Sequence, residues 1–186
     1  MKATLAVINR LEADGTIGRY AIGGAVGALF YLEPSDTADI DIFVTFRGLP
    51  DSLLVSLAPI YDHLVRLGYP EHRKAGVVIE GWPVQFLPAD DALGAEALAE
   101  AVETSLEEVP TRVLTAEHLV ALALRTGPGK DFLRILAFIE SGRLDAPRLD
   151  AVLERHGLVE KWRVFEDKYV RGRGDHDRAD AKNPGG

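Results

Sequence analysis

Residues 18–46 read GRYAIGGAVGALFYLEPSDTADIDIFVTF, and the fold turns on them. Tyr20 to Ile22 is a short apolar run stopped by the pair Gly23-Gly24, which predicts a strand ending in a tight turn. Ala25 to Leu32 then predicts a helix. From residue 38 the period changes. In ADIDIFVTF (38–46), Ile40, Ile42, Val44 and Phe46 fall on one face of a strand. Asp39, Asp41, Phe43 and Thr45 fall on the other. One strand thus carries an apolar face and a pair of carboxylates two residues apart.

Asp39 and Asp41 leave the same strand face about 7 Å apart, with no basic residue adjacent in sequence. Two such anions repel, and without compensation one of them takes up a proton. A divalent cation removes the conflict. Mg²⁺ (or Mn²⁺) accepts one or two carboxylates and fills its octahedron with water and phosphate oxygens. Upstream, Gly23-Gly24 closes a strand and opens a helix, where bare backbone N–H groups can approach an anion. An isolated Asp-x-Asp is most often a solvated strand edge. The diglycine turn before it and the alternating apolar face favour a polyphosphate–metal site instead.

Other readings fail on the residues. The dinucleotide fingerprint would need glycine where Ile22 stands, and no Walker A sequence occurs. The chain has 186 residues and no cysteine, which excludes disulfides, thiolate-bound zinc, iron–sulfur clusters and thiol catalysis. Its histidines show no metal-ligand spacing, so His63, His72, His118, His156 and His176 read as core or surface residues. With 47% hydrophobic residues the composition is that of a globular chain. The formal charge of −8 disfavours a protein that wraps nucleic acid. No stretch predicts a signal peptide or a membrane span, and the expectation is a soluble, cytoplasmic protein without membrane partners.

Outward from this stretch, residues 2–14 predict an amphipathic helix through Leu5, Ile8 and Leu11, and 51–68 predict another. VVIE (77–80), Gly81-Trp82 and PVQFL (83–87) predict a β-hairpin, and the Ala- and Glu-rich 90–104 predict a helix. After Pro110 the pattern is helical apart from a short strand at Val113-Leu114. The helices expected there run from Thr115 to Arg125, from Lys130 to Ser141, from Pro147 to the stop at Gly157, and around Trp162 and Phe165. The expected organisation is an α/β (α+β) domain over 1–109, a helical subdomain over 110–168 and a flexible tail over 169–186.

The run IGGAVGALFYLEPSDTADIDIFV resembles the signature of the DNA polymerase β-like nucleotidyltransferase superfamily. That signature is an apolar residue, Gly-Gly or Gly-Ser, a helix, then Asp-x-Asp within an apolar strand. The layout is similar to small bacterial nucleotidyltransferase-domain proteins, including the toxins of abortive-infection toxin–antitoxin pairs. HLVALALRTGPGKDFLRI resembles a helical motif of those toxins, with Lys130-Asp131 after the turn. The resemblance implies a mixed sheet with flanking helices, a nucleoside triphosphate partner and Mg²⁺ held by Asp39 and Asp41. It implies phosphate contacts from Gly23, Gly24 and Lys130, and transfer of a nucleoside monophosphate to a hydroxyl of a protein, a small molecule or an RNA end. It also implies an antitoxin-like protein partner. The sequence departs from the pattern where the superfamily supplies a third carboxylate, since Gln85 stands there. Glu80 is the nearest acidic substitute, and Arg134 stands where the toxins carry another acid. Gln85 keeps open a second reading, a nucleotide-binding or protein-interaction module that has the fold without the turnover.

Overall fold

A computed structural model of the chain describes residues 1–33, 37–46, 56–73 and 76–171. Two compact units make up the chain, the first Met1–Leu119 and the second beginning at Val120.

The first unit is built on a seven-stranded mixed sheet of order β3-β4-β5-β2-β1-β7-β6. In chain order its strands are β1 (Tyr20–Ile22), β2 (Ile40–Val44), β3 (His72–Arg73), β4 (Gly76–Ile79), β5 (Trp82–Pro88), β6 (Val102–Leu106) and β7 (Val109–Val113). β2 lies between β1, antiparallel to it, and β5, parallel to it. Alternation decides which residues meet the core. Ile40, Ile42 and Val44 are fully buried with Val84 and Phe86, against Leu5, Ile8 and Leu11 of α1 (Lys2–Ala13). Ile60 and Leu64 of α3 (Ala58–Arg66) complete that layer. Asp41, Phe43 and Gln85 occupy the opposite sheet face. This is the α/β architecture with a mixed sheet, flanking helices and a C-terminal helical part that the sequence predicts.

Tyr20 is fully buried in the same layer. Its hydroxyl donates to Asn9 Oδ1 at 2.6 Å and lies 3.2 Å from Thr111 Oγ1. Burial pushes this phenol above its ordinary range. Its contribution to stability is therefore complete below about pH 10. It is lost as pH rises further, because the unfolded chain ionises first. The denaturation midpoint should fall from pH 9.5 towards pH 11, and Tyr20→Phe should flatten that fall; urea titrations across the range give the comparison.

Several elements differ from the expected ones. α2 covers only Gly24–Ala28, followed by irregular turns, where a helix to Leu32 was expected. The hairpin turn is Glu80-Gly81, and Trp82 already belongs to β5. The helix expected over 90–104 is α4 (Ala92–Ala99), and the chain then enters β6, which pairs with β7 through a turn at Glu107-Glu108. Both turn residues have positive φ, 49° and 67°, without the Asn or Gly that normally marks such a hairpin. The turn is instead pinned by tertiary contacts. Glu107 Oε2 accepts from the backbone N–H of Lys2 at 2.9 Å, and Glu108 pairs with Lys2 Nζ at 3.7 Å. Two acidic side chains thus sit at the N-terminal end of α1, where a helix favours negative charge. The helix expected over 51–68 is seen as α3, and 51–55 lie outside the described residues, as does the expected tail beyond 171.

α5 (Ala116–Thr126) is buried along most of its length. The second unit continues with α6 (Lys130–Ser141), α7 (Ala146–Arg155) and α8 (Val159–Phe165), which runs into a π-helical turn over Glu166–Arg171. Gly142 at φ 64° ends α6, and Asp145 caps α7 by accepting from the N–H of Arg148. Trp162 stacks on Phe165 at 5.6 Å, and Phe132 meets Phe165 edge-on at 5.0 Å, so the tryptophan is a packing residue. Among the described residues no helix is long and apolar enough to cross a membrane.

Candidate nucleotide and metal site

The site forms where β1 ends and β2 begins. The antiparallel register sets Ile22 opposite Ile42, so the chain leaves β1 beside Asp41. The Gly23 N–H donates to the Asp41 carbonyl at 2.9 Å, and this bond fixes the diglycine turn against β2. Gly24 has φ +55°, in the left-handed region. A Cβ placed on it would overlap Asp41 Oδ2 and lie 2.7 Å from the carboxylate carbon. The Asp41 carboxylate therefore occupies the space that any side chain at position 24 would need. At Gly23 a Cβ would run into the Phe43 ring. Both glycines are thus required by close approach, one to an aromatic ring and one to an acid.

Gln85 is the cross-strand neighbour of Asp41 in the parallel β2–β5 pair. The position read from sequence as the third acid is therefore beside Asp41, and it offers an amide there. Glu80 is directed elsewhere. It lies in the exposed β4–β5 turn at φ 51°, and its Oε1 accepts from the Tyr69 hydroxyl at 2.5 Å. Tyr69 packs on the opposite, apolar layer of the sheet. That bond holds the Tyr69 phenol above its ordinary range, since ionisation would set two negative charges together.

Asp39 stands one residue ahead of β2, half-buried, and its carbonyl accepts from Thr37 Oγ1 at 3.0 Å. Ala38, Arg73, Gly81, Trp82 and Pro83 line an open hollow of about 300 Å³ on the Asp39 side of the strand. Arg73 brings a cation to that hollow, and its guanidinium also donates to Glu71 Oε1 at 3.2 Å. A larger cavity of about 610 Å³, lined by Asn9, Tyr20, Thr111 and Arg112, opens on the other sheet face and includes none of the predicted site residues. Lys130 is the exposed first residue of α6 in the second unit. Its neighbour Asp131 is held by Arg134 Nη1 at 2.9 Å.

With five residues, α2 is too short for a strong helix-end field. What remains is close backbone approach, which glycine alone permits. Asp41 and its cross-strand neighbour Gln85 offer a carboxylate and an amide oxygen, donors of the kind that Mg²⁺ or Mn²⁺ accepts. A different cluster was invisible in the sequence. His118, read above as a core or surface residue, is buried and brings a ring nitrogen to Glu96 and Glu100, 22 and 18 residues upstream. No short-range spacing links them.

No family model matches the chain, and no curated protein matches it. Among solved structures, it is similar to an antigenic nucleotidyltransferase-like protein from Paracoccidioides brasiliensis. The identity is 14% over 86% of this chain and 90% of that one, with a TM-score of 0.48. It is also similar to ANT(2")-Ia in complex with adenylyl-2"-tobramycin, at 17% identity over 91% of this chain and 99% of that one, with a TM-score of 0.49.

Proposed function

We propose that the chain is a nucleotidyltransferase that binds a nucleoside triphosphate with Mg²⁺ and transfers the nucleoside monophosphate to an acceptor hydroxyl. The observation that carries this reading is the Asp41 carboxylate packed on Gly24, with Gln85 as its cross-strand neighbour. Asp41 and Asp39 hold the cation. Gly23 and Gly24 bring the turn hard against Phe43 and Asp41, so that phosphates coming to the turn reach the cation held there. The acceptor hydroxyl oxygen attacks the α-phosphorus and gives up its proton to water, the bond to the bridging oxygen of the β-phosphate breaks, and pyrophosphate leaves. Mg²⁺ supplies charge stabilisation to the attacking and leaving oxygens. With a charge of −8, a small molecule, a protein or a short RNA end suits the chain better as acceptor than a long nucleic acid. The finer kinship with antitoxin-paired toxins rests on Lys130-Asp131 after the 126–129 turn.

Gln85 favours a second reading. An amide can lend a carbonyl oxygen to a cation, but it cannot take the acceptor's proton. A nucleotide-binding module without turnover is consistent with that. Transfer of label from α-³²P triphosphates, screened over hydroxyl acceptors, separates the two. For an enzyme, Gln85→Asp should raise transfer by about tenfold or more, because a carboxylate adds charge and a base. Magnesium-dependent binding of triphosphate with no transfer, in the native chain and in Gln85→Asp alike, would establish the module.

A further inference from the structure

Helix α4 and the first turn of α5 carry a group of side chains that the nucleotide reading does not use. Glu96 belongs to α4, and Glu100 follows one turn later at its C-terminal cap. Residues four apart share a helix face. His118 comes from the first turn of α5 and is fully buried. One ligand atom from each of the three lies within 4.8 Å of the others.

The ring of His118 is held from behind. Its Nδ1 lies 2.8 Å from Thr115 Oγ1, and the same hydroxyl accepts the His118 backbone N–H at 3.4 Å. Nε2 is thereby turned to the carboxylates, 3.3 Å from Glu96 Oε1. A second partner that fixes the far nitrogen is the usual accompaniment of a metal-bound histidine. The separation has its own meaning. Ligands at about 2.0 Å around a tetrahedral ion stand about 3.3 Å from each other. His118 and Glu96 already have that spacing. Glu100 is exposed, and one of its carboxylate oxygens already lies within 4.8 Å of the other two ligand atoms.

We propose that Glu96, Glu100 and His118 form a Zn²⁺ site that clasps α4 to α5, with a water completing the tetrahedron on the exposed Glu100 side. One imidazole and two carboxylates suit Zn²⁺. Mg²⁺ prefers oxygen ligands only and retains its waters. The site shares no residue with Asp39, Asp41, Gly23, Gly24 or Gln85, and it stands or falls separately from the nucleotide reading.

The test uses the full chain, stripped with chelator and free of nucleotide, titrated with Zn²⁺ alone and with Co²⁺ as a coloured substitute. One Co²⁺ per chain should bind with the visible absorption of a four-coordinate ion, and Zn²⁺ should displace it and raise the thermal midpoint. Glu100→Gln, at an exposed position, should keep the metal-free midpoint and weaken Zn²⁺ binding by about tenfold or more. Asp41→Asn should bind Zn²⁺ as the native chain does. No binding at millimolar Zn²⁺, or equal affinity in the native chain and Glu100→Gln, would overturn the proposal and leave His118–Glu96 as a hydrogen-bonded pair.

Discussion

Asp41→Asn should abolish magnesium-dependent nucleotide binding and cut label transfer by about 10³-fold or more. Asparagine has nearly the same shape, so it can occupy the space over Gly24 and keep the thermal midpoint close to that of the native chain. What it lacks is the charge. Asp41 is the residue that the diglycine turn is built around, its carbonyl accepting the Gly23 N–H and its carboxylate filling the place of a side chain at Gly24. Asp39 stands just outside the strand, so Asp39→Asn should cost less than Asp41→Asn. Thermal shifts with each triphosphate, with and without Mg²⁺, read the binding, and α-³²P transfer reads the chemistry. Should expression of the native chain arrest bacterial growth, Asp41→Asn should relieve the arrest. Full transfer activity in Asp41→Asn would remove Asp41 from the mechanism and the nucleotidyltransferase reading with it.

The parts of the fold that the sequence discloses are those whose pattern is local. β1 is read to the residue at Tyr20–Ile22, since two glycines stop it. β2 is read from its alternation, one face apolar and one acidic, and shortens only at its ends. α1 and α6 are read because their apolar residues recur at helical spacing between clear stops. β6 is read wrongly for the opposite reason. Residues 95–108, AEALAEAVETSLEE, have the composition of a helix, and no glycine or asparagine marks the turn that follows. The extended state of Val102–Leu106 depends on pairing with β7 and on the grip of Lys2 on Glu107. Tertiary context overrides propensity there. The candidate site divides in the same way. Asp39, Asp41 and the glycines sit within one short stretch, and Gln85 is found by its place in a strand. Glu96, Glu100 and His118 meet only because two helices pack together, and no spacing in the chain announces it.

Gly24→Ala should be the most damaging substitution of a single small group. Two separate costs fall on it. Alanine at φ +55° is strained, by about 1–2 kcal/mol. Its methyl group would also occupy the position of Asp41 Oδ2, so either the carboxylate rotates away or the turn moves off β2. Overpacking of this kind costs about 1–3 kcal/mol. The expected loss of unfolding free energy is about 2–5 kcal/mol, together with loss of magnesium-dependent nucleotide binding. Gly142→Ala gives the control. Gly142 has a similar φ of 64°, and nothing lies within 4 Å of a Cβ added there. It carries the backbone strain without the collision. Chemical denaturation of both variants isolates the contact, because the excess cost at Gly24 measures how closely the acid is held to the turn. Equal costs in the two variants, with nucleotide binding intact in Gly24→Ala, would mean that Asp41 is free to leave the diglycine turn. The chain would then lack the fixed carboxylate that phosphoryl chemistry at this strand end requires.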